Sequence, residues 1–125
     1  MKKYTVQIYE DSNGNSPMKD WIRQLNDRPT KENKSLLKKV YYQIERLEYE
    51  GTFLGAPITK KIEGKIEGKI WELRPVPYRV FFAVLTGNDI LLLHPFRKQT
   101  QRTPQREIDQ AQRELNDWLE RHEEE

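Results

Sequence analysis

Alternation of polar and apolar side chains predicts four β-strands in this chain. Residues 4–10 form the first, with alternate apolar residues on one face. Three further strand-like runs follow in close succession, at residues 70–74, 78–85 and 90–96. A Pro-Val-Pro turn and a Thr-Gly-Asn-Asp turn separate these three runs, which predicts adjacent antiparallel strands. The last run is apolar throughout, as is typical of a central strand that is buried on both faces.

Apolar residues spaced three and four positions apart predict three helices. The first helix begins with Ser16 as N-cap and Pro17 at the first helical position, and it closes at residues 28–29. The second helix covers about residues 31–50 and stops before a glycine. The third opens at residues 103–104, where a threonine hydroxyl is expected to cap the helix and a proline follows it.

The resulting order of elements, β-α-α-β-β-β-α, predicts the α+β class, because helices and strands do not alternate regularly. We expect an antiparallel sheet backed by an N-terminal helix pair and a C-terminal helix. The length of 125 residues indicates a single domain over residues 1–125. Residues 52–68 show no clear periodicity, apart from a short tandem Ile-Glu-Gly-Lys repeat, and are interpreted as an irregular connection.

Composition narrows the possible chemistry. The chain has no cysteine, which excludes disulfides and thiolate-bound zinc. Its two histidines, His94 and His122, lie far apart in the sequence and form no recognisable metal pair, so we expect neither a metal nor a cofactor. The longest apolar run is far below the roughly 20 residues that would span a bilayer. A soluble cytoplasmic protein without membrane contact is therefore expected.

Charge is divided unevenly along the chain. Residues 57–106 contain ten Lys or Arg against four Asp or Glu, a local charge of +6, whereas residues 107–125 carry a charge of −6. A basic region favours a polyanionic ligand such as nucleic acid. The alternative is an ordinary charge-rich surface.

Two arginines are predicted to meet across the turn between the second and third strands. Strand alternation puts Arg74 on the same face as Glu72, and Arg79 follows the turn. Neighbouring guanidinium groups repel unless an anion lies between them, so the pair can act as a phosphate clamp. Alternatively, Arg74 pairs with Glu72 or another carboxylate, and Arg79 pairs with a residue of the last helix.

The segment from residue 96 to 104 is a second basic candidate. It contains Arg97, Lys98 and two threonines, and it leads into a helix start, where free N–H groups favour anions. The alternative is that Thr103 only caps the helix and that Arg97 faces solvent.

Taken in order, these motifs resemble a known family. Glu-Leu-Arg at residues 72–74, Tyr-Arg at 78–79 and the Phe-Arg-Lys-x-Thr-x-x-Thr-Pro run at 96–104 are similar to the RelE/HigB-like toxins of bacterial toxin–antitoxin pairs, in particular the phage-derived HigB-like branch. The resemblance implies the small RelE-like fold and cleavage of mRNA on the ribosome. It also implies a helix-turn-helix antitoxin as partner.

In that chemistry the ribose 2′-hydroxyl attacks the adjacent phosphate, which requires proton transfer and positive charge for the phosphorane. The resemblance implies electrostatic stabilisation by Arg74, Arg79 and Lys98. Glu72 is the candidate base, because it is ionised at neutral pH. Further RNA contacts are expected from Lys69, Arg97, Thr100 and His94. Tyr78 is a reserve for stacking on a base, although its strand face favours a core position.

The chain also departs from the family pattern. Two strand lysines of the namesake RelE subgroup align with Ile70 and Glu72, so the general acid and base are not assigned. Two other functions stay open. One is a toxin of the same fold that acts on gyrase and cleaves nothing, and the other is a non-catalytic RNA- or protein-binding adaptor.

Overall fold

A computed structural model of the chain describes residues 1–55, 70–99 and 101–122, together with the backbone of residues 59–61. Two of its helices form a consecutive pair: α1 spans Pro17–Asp27 and α2 spans Lys31–Glu50. As predicted, the Ser16 hydroxyl accepts a hydrogen bond from the Lys19 amide and so caps α1. Helix α3 spans Gln105–Arg121. No helix in these ranges is long and apolar enough to cross a membrane.

The strands of the described residues form one sheet, in the order β1-β5-β4-β3-β2. Their bounds are β1 Thr5–Ile8, β2 Thr59–Lys61, β3 Ile70–Leu73, β4 Tyr78–Val84 and β5 Asp89–Arg97. The four strands that alternation predicts are thus confirmed, with shifts of a few residues at their ends. Strand β2 is additional, since it lies inside the connection that was expected to be irregular. It pairs antiparallel with β3 at the edge of the sheet.

The sheet is mixed and not purely antiparallel. Strand β1 pairs parallel with β5, with Val6 opposite Ile90, whereas the β2–β3, β3–β4 and β4–β5 pairs are antiparallel. Strand β5 therefore lies between β1 and β4, as its apolar composition predicts. The α1–α2 pair is part of the connection from β1 back to the sheet, and it packs on one sheet face. The α+β class and the positions of the helices are confirmed.

Two apolar layers hold the helices against opposite faces of the sheet. On one face, Met18 of α1 and Val40 of α2 pack with Leu73 and Phe82. On the other face, α3 covers Phe81 and its strand neighbours. Consecutive side chains of a strand point to opposite faces, so each strand contributes to both layers. The C-terminal helix therefore covers the face on which Glu72 and Arg79 also lie.

Candidate functional site

Three basic side chains line one cavity at the end of the sheet where β3 and β5 finish. Arg74 follows β3, Arg79 lies in β4, and Lys98 follows β5. Together with Gln99 and Gln101 they border a cavity of ≈ 520 Å³. We refer to Arg74, Arg79 and Lys98 as the clamp. The structure thus brings together the two arginines that the hairpin predicts and the lysine of the basic segment.

Hydrogen bonds around the β3–β4 turn fix the backbone positions of Arg74 and Lys98. The Arg74 carbonyl accepts hydrogen bonds from the Val76 amide at 2.9 Å and from Gln43 Nε2 of α2 at 3.2 Å. The Lys98 amide donates to the Pro77 carbonyl at 3.2 Å. Because these hydrogen bonds join the turn to α2 and to the end of β5, Arg74 and Lys98 both lie next to this turn.

A buried carboxylate lies beneath the clamp. Glu72 is 0% exposed, and its Oε1 lies 2.8 Å from Arg79 Nε and 3.7 Å from Lys98 Nζ. Its Oε2 accepts a hydrogen bond from the Thr103 hydroxyl at 3.1 Å. The Arg79 Nε–H is not aligned for a hydrogen bond with Glu72 in spite of the short distance, so the contact is best described as an ion pair. This carboxylate ties β3, β4 and the loop before α3 together.

Arg74 differs from Arg79 because no carboxylate in the described part of the chain pairs with it. Its Nε atom is buried and has no hydrogen-bond acceptor among those residues. The described residues therefore leave the guanidinium charge of Arg74 uncompensated, and an anion in the cavity that Arg74 lines would compensate it. With three cations and the single Glu72 carboxylate, the group carries a formal charge of +2. The arrangement can therefore bind and stabilise a phosphate.

The position of Glu72 corrects its expected role as base. A general base must come within hydrogen-bond reach of the proton that it removes. Both Glu72 oxygens are engaged by Arg79, Lys98 and Thr103, and the residue does not line the cavity. The expectation followed from strand alternation alone, which shows the face of a side chain but not what covers it. Glu72 is placed to hold the clamp cations and not to contact a substrate.

A second correction concerns His94, which was expected to contact RNA. The residue is 2% exposed. Its Nδ1 lies 2.7 Å from Glu114 Oε1, and its Nε2 lies 3.2 Å from Glu107 Oε1. Both carboxylates belong to α3, and the imidazole ring also meets Phe81 edge-on. His94 therefore fastens α3 to the sheet, and a ligand in the cavity does not reach it.

The other expected contacts are divided between separate regions. Arg97 points to the sheet face opposite Lys98, where its guanidinium lies 6.0 Å from the centre of the Tyr78 ring. Tyr78 also packs on Trp21, with ring centres 5.1 Å apart, so it belongs partly to the core, as its strand face predicts. Lys69 and Thr100 lie outside the described residues, and their roles stay predictions.

Sequence reasoning missed the role of Thr103 and two amides of the cavity. Thr103 was expected to cap α3, but Pro104 is the N-cap and no side chain caps this helix. The Thr103 hydroxyl instead donates to Glu72, a contact 31 residues apart in sequence that no local pattern reveals. Gln99 and Gln101 line the cavity. Their proximity to Lys98 was the only available signal.

The fold has known counterparts among solved structures. The RelE–RelB complex from Pyrococcus horikoshii OT3 matches with a TM-score of 0.56 at 20% identity, over 78% of this chain and 97% of that one. The YoeB dimer from Staphylococcus aureus matches with a TM-score of 0.56 at 10% identity, over 78% and 99% of the two chains. The heterotetrameric YoeB–YefM toxin–antitoxin complex from the same species matches with a TM-score of 0.55 at 11% identity, over 78% and 98%. These likenesses define a RelE-like fold.

Family membership rests on the sequence. Residues 20–116 match the family of phage-derived Gp49-like proteins (DUF891), and the chain belongs to that family. Among curated protein sequences, none is similar enough to be a relative. The matched range extends from α1 to the middle of α3, so it includes the whole clamp and the Glu72 contacts.

Proposed function

We propose that this protein is the toxin of a type II toxin–antitoxin system and acts as an endoribonuclease on mRNA. The observation that carries the proposal is the convergence of Arg74, Arg79 and Lys98 on one cavity, with the Arg74 Nε buried and without an acceptor. Membership of the phage-derived family and the RelE-like fold support it. Three of the matching structures are of complexes, one of RelE–RelB and two of YoeB–YefM.

In the proposed reaction the scissile phosphate occupies the clamp. The ribose 2′-hydroxyl loses its proton as its oxygen attacks the adjacent phosphorus, and negative charge develops on the phosphorane oxygens. The bond between phosphorus and the 5′-oxygen of the next nucleotide then breaks. The products are a 2′,3′-cyclic phosphate and a 5′-hydroxyl, so that overall one proton passes from the 2′-hydroxyl to the leaving 5′-oxygen. The planar guanidinium groups of Arg74 and Arg79 match two of these oxygens, and Lys98 adds a point charge. Loss of one such preorganised donor costs about 3–4 kcal/mol of transition-state stabilisation in a water-excluded site, and the open clamp cavity lowers that figure here.

Glu72 has a supporting role in this proposal. Its carboxylate holds Arg79 and Lys98 from below, and the Thr103 hydroxyl holds the carboxylate. The cations are thus positioned before the RNA binds, which lowers the reorganisation needed during the reaction. Lys69 and Thr100 stay candidates for further RNA contacts.

Two further parts of the proposal concern partners. We infer that the ribosome presents the mRNA and that a helix-turn-helix antitoxin neutralises the toxin. Binding of an acidic antitoxin segment in the clamp cavity would satisfy the same charges as RNA does. Purified antitoxin should then protect RNA from cleavage, and it should compete with an RNA oligonucleotide for the clamp.

Expression with mRNA mapping tests the proposal. Wild type and the Arg74→Ala/Arg79→Ala variant are induced from a tightly repressed promoter, and growth and mRNA 5′ ends are followed in the same cultures. The matched control is Arg28→Ala/Arg113→Ala, which removes two exposed arginines that do not line the cavity. Growth arrest with new in-frame mRNA 5′ ends is expected for the wild type and for the control. At an equal amount of soluble protein, the Arg74→Ala/Arg79→Ala variant should show neither the arrest nor the new 5′ ends.

Other outcomes would redirect the proposal. Arrest with intact mRNA would refute the ribonuclease and favour a toxin that acts on gyrase. Normal growth of the wild type without an antitoxin would leave a binding adaptor with a RelE-like fold. Cleavage that persists in the clamp variant would place the chemistry elsewhere.

A further inference from the structure

Another cavity, with a mixed polar and apolar border, lies on the opposite face of the sheet from the clamp. It has a volume of ≈ 370 Å³ and is bordered by α2 and the β3–β4 turn. We call it the α2 groove. Its polar and aromatic border comprises Glu32, Asn33, Ser35, Lys39, Tyr78 and Arg97.

Strand geometry places the α2 groove directly behind the clamp. Tyr78 and Arg79 are consecutive in β4, as Arg97 and Lys98 are at the end of β5, and Tyr78 pairs with Arg97 across the ladder. Consecutive side chains point to opposite faces, and their Cα atoms are about 3.8 Å apart. One member of each pair therefore lines the clamp cavity and the other lines the groove. A strand of RNA that crosses this end of the sheet can touch both.

The charges of the α2 groove favour an anion. Arg97 is exposed, and no carboxylate within the described ranges pairs with it. Lys39 Nζ donates to the Val76 carbonyl at 3.3 Å, a neutral partner that leaves the ammonium charge uncompensated. Glu32 contributes the one negative charge on the groove border, so the border carries a formal charge of +1.

The aromatic part of the α2 groove suits a nucleotide better than a simple anion. The Tyr78 ring packs against Trp21 of the core, and the Arg97 guanidinium lies 6.0 Å from the ring centre. Aromatic rings and guanidinium planes are the surfaces on which unpaired RNA bases stack, and neighbouring cations contact the backbone. A ring that is already fixed by packing loses little further freedom when a base binds.

We propose that the α2 groove is a subsite of single-stranded RNA for a nucleotide that lies several positions along the strand from the scissile phosphate. Arg97 and Tyr78 contact the base, and Lys39 contacts the adjoining backbone phosphate. The RNA passes over the β3–β4 turn between the clamp and the groove. This subsite rests on the proposed ribonuclease function, because it describes how the same RNA continues beyond the clamp.

Binding of short and long RNA distinguishes the two cavities. The probes are fluorescent oligonucleotides of about 3 and about 12 nucleotides with 2′-O-methyl riboses, which cannot be cleaved. The shorter RNA is chosen to fill the clamp cavity alone, and the longer RNA to reach both cavities. Arg97→Ala and Lys39→Ala are compared with Lys38→Ala, which removes an exposed lysine on the same helix that does not line the groove. All variants are first matched to wild type by circular dichroism and urea unfolding.

We expect Arg97→Ala to weaken binding of the longer RNA by about 5- to 150-fold, the range for loss of one stacked base. The shorter RNA should change by less than about threefold. Lys39→Ala should reduce the dependence of log Kd on log salt concentration by about 0.7 for the longer RNA, because one phosphate contact is lost. Lys38→Ala should behave as wild type.

The proposed subsite is overturned if Arg97→Ala and Lys39→Ala both bind the longer RNA as tightly as the wild type does. In that case the groove would be available to a protein partner instead. Equal losses on both RNA lengths would also overturn it, since Arg97 would then act within the clamp. The clamp itself is tested by Arg74→Ala, which should weaken both lengths. If Arg74→Ala has no effect on either RNA, the proposed function fails together with the subsite.

Discussion

The contact between Glu72 and Arg79 predicts strong energetic coupling between two residues beneath the candidate site. Glu72 is 0% exposed, and the Arg79 side chain is 11% exposed. Removal of either charge leaves the other in a largely dry environment without its nearest partner. We therefore examine three variants: Glu72→Gln, Arg79→Gln, and the double substitution. Glutamine keeps the size of the Glu72 side chain and can still accept the Thr103 hydroxyl hydrogen bond there, and at position 79 it keeps a polar but shorter and uncharged side chain.

The expected loss of stability in these variants follows from the distance between the two charges. At an effective dielectric constant of about 20, charges 2.8 Å apart attract by about 6 kcal/mol. Desolvation of a fully buried carboxylate offsets several kcal/mol of that attraction. Loss of one partner from a buried pair typically destabilises a protein by about 3–5 kcal/mol. Because the clamp cations border an open cavity, we expect about 2–4 kcal/mol for each single variant. The double variant should be less destabilised than the sum by about 2 kcal/mol.

The assay is urea unfolding at pH 7, followed by tryptophan fluorescence. A matched control is the cycle of Arg23 and Asp20 on α1, an ion pair whose side chains are 68% and 49% exposed. That pair should show a coupling of only about 0.2–1 kcal/mol. A coupling for Glu72 and Arg79 no larger than in the control would refute the view that a buried pair positions the clamp. Unchanged m-values are needed for the comparison, since they show that the unfolding transition is the same.

Two further predictions concern stability away from the site. The pKa of Tyr9 is raised from 10.0 to about 12, mainly by burial and then by the hydrogen bond of its hydroxyl to Asp117. The stabilisation that this gives is fully present below pH 10, and the free energy of unfolding should fall by up to about 3 kcal/mol as the pH rises towards 12. Urea unfolding at pH 9 and pH 11 should show this decline for the wild type but not for Tyr9→Phe. Gly51 ends α2 at φ +56°, where an added Cβ would lie 2.7 Å from the Tyr4 ring. Gly51→Ala should therefore lower Tm by more than Gly14→Ala does, because Gly14 has a similar positive φ but open space around it. Equal Tm values for the two variants in calorimetry would contradict this.

Much of the fold could be predicted because its signals are local. Helix α1 begins after the Ser16 cap, and α2 stops at Gly51, where the sequence pattern places both ends. The apolar run of β5 correctly predicts a central strand. The hairpin between β3 and β4 predicts that Arg74 and Arg79 approach each other, and they line the same cavity. Each of these features depends on spacing within about twenty residues.

Predictions failed where distant segments meet. The parallel pairing of β1 with β5 joins residues about 84 positions apart, from Thr5 to Asp89, and neither strand carries a signal for its direction. His94 looked like an accessible residue near the basic segment, but Glu107 and Glu114 of α3 enclose it. Docking of α3 on the sheet decided that outcome, and strand periodicity contains no information about it.

The sequence by itself determined which residues of the candidate site are cationic, that Arg74 shares the strand face of Glu72, and that Arg79 follows the turn. Tertiary structure alone decided that Glu72 is a buried partner of Arg79 and Lys98, and that Thr103 holds Glu72 instead of capping α3. It also decided that Arg97 borders a different cavity from Lys98. The physical reason is that backbone periodicity sets the direction of a side chain, whereas its burial and ion-pair partners depend on which distant element packs against it.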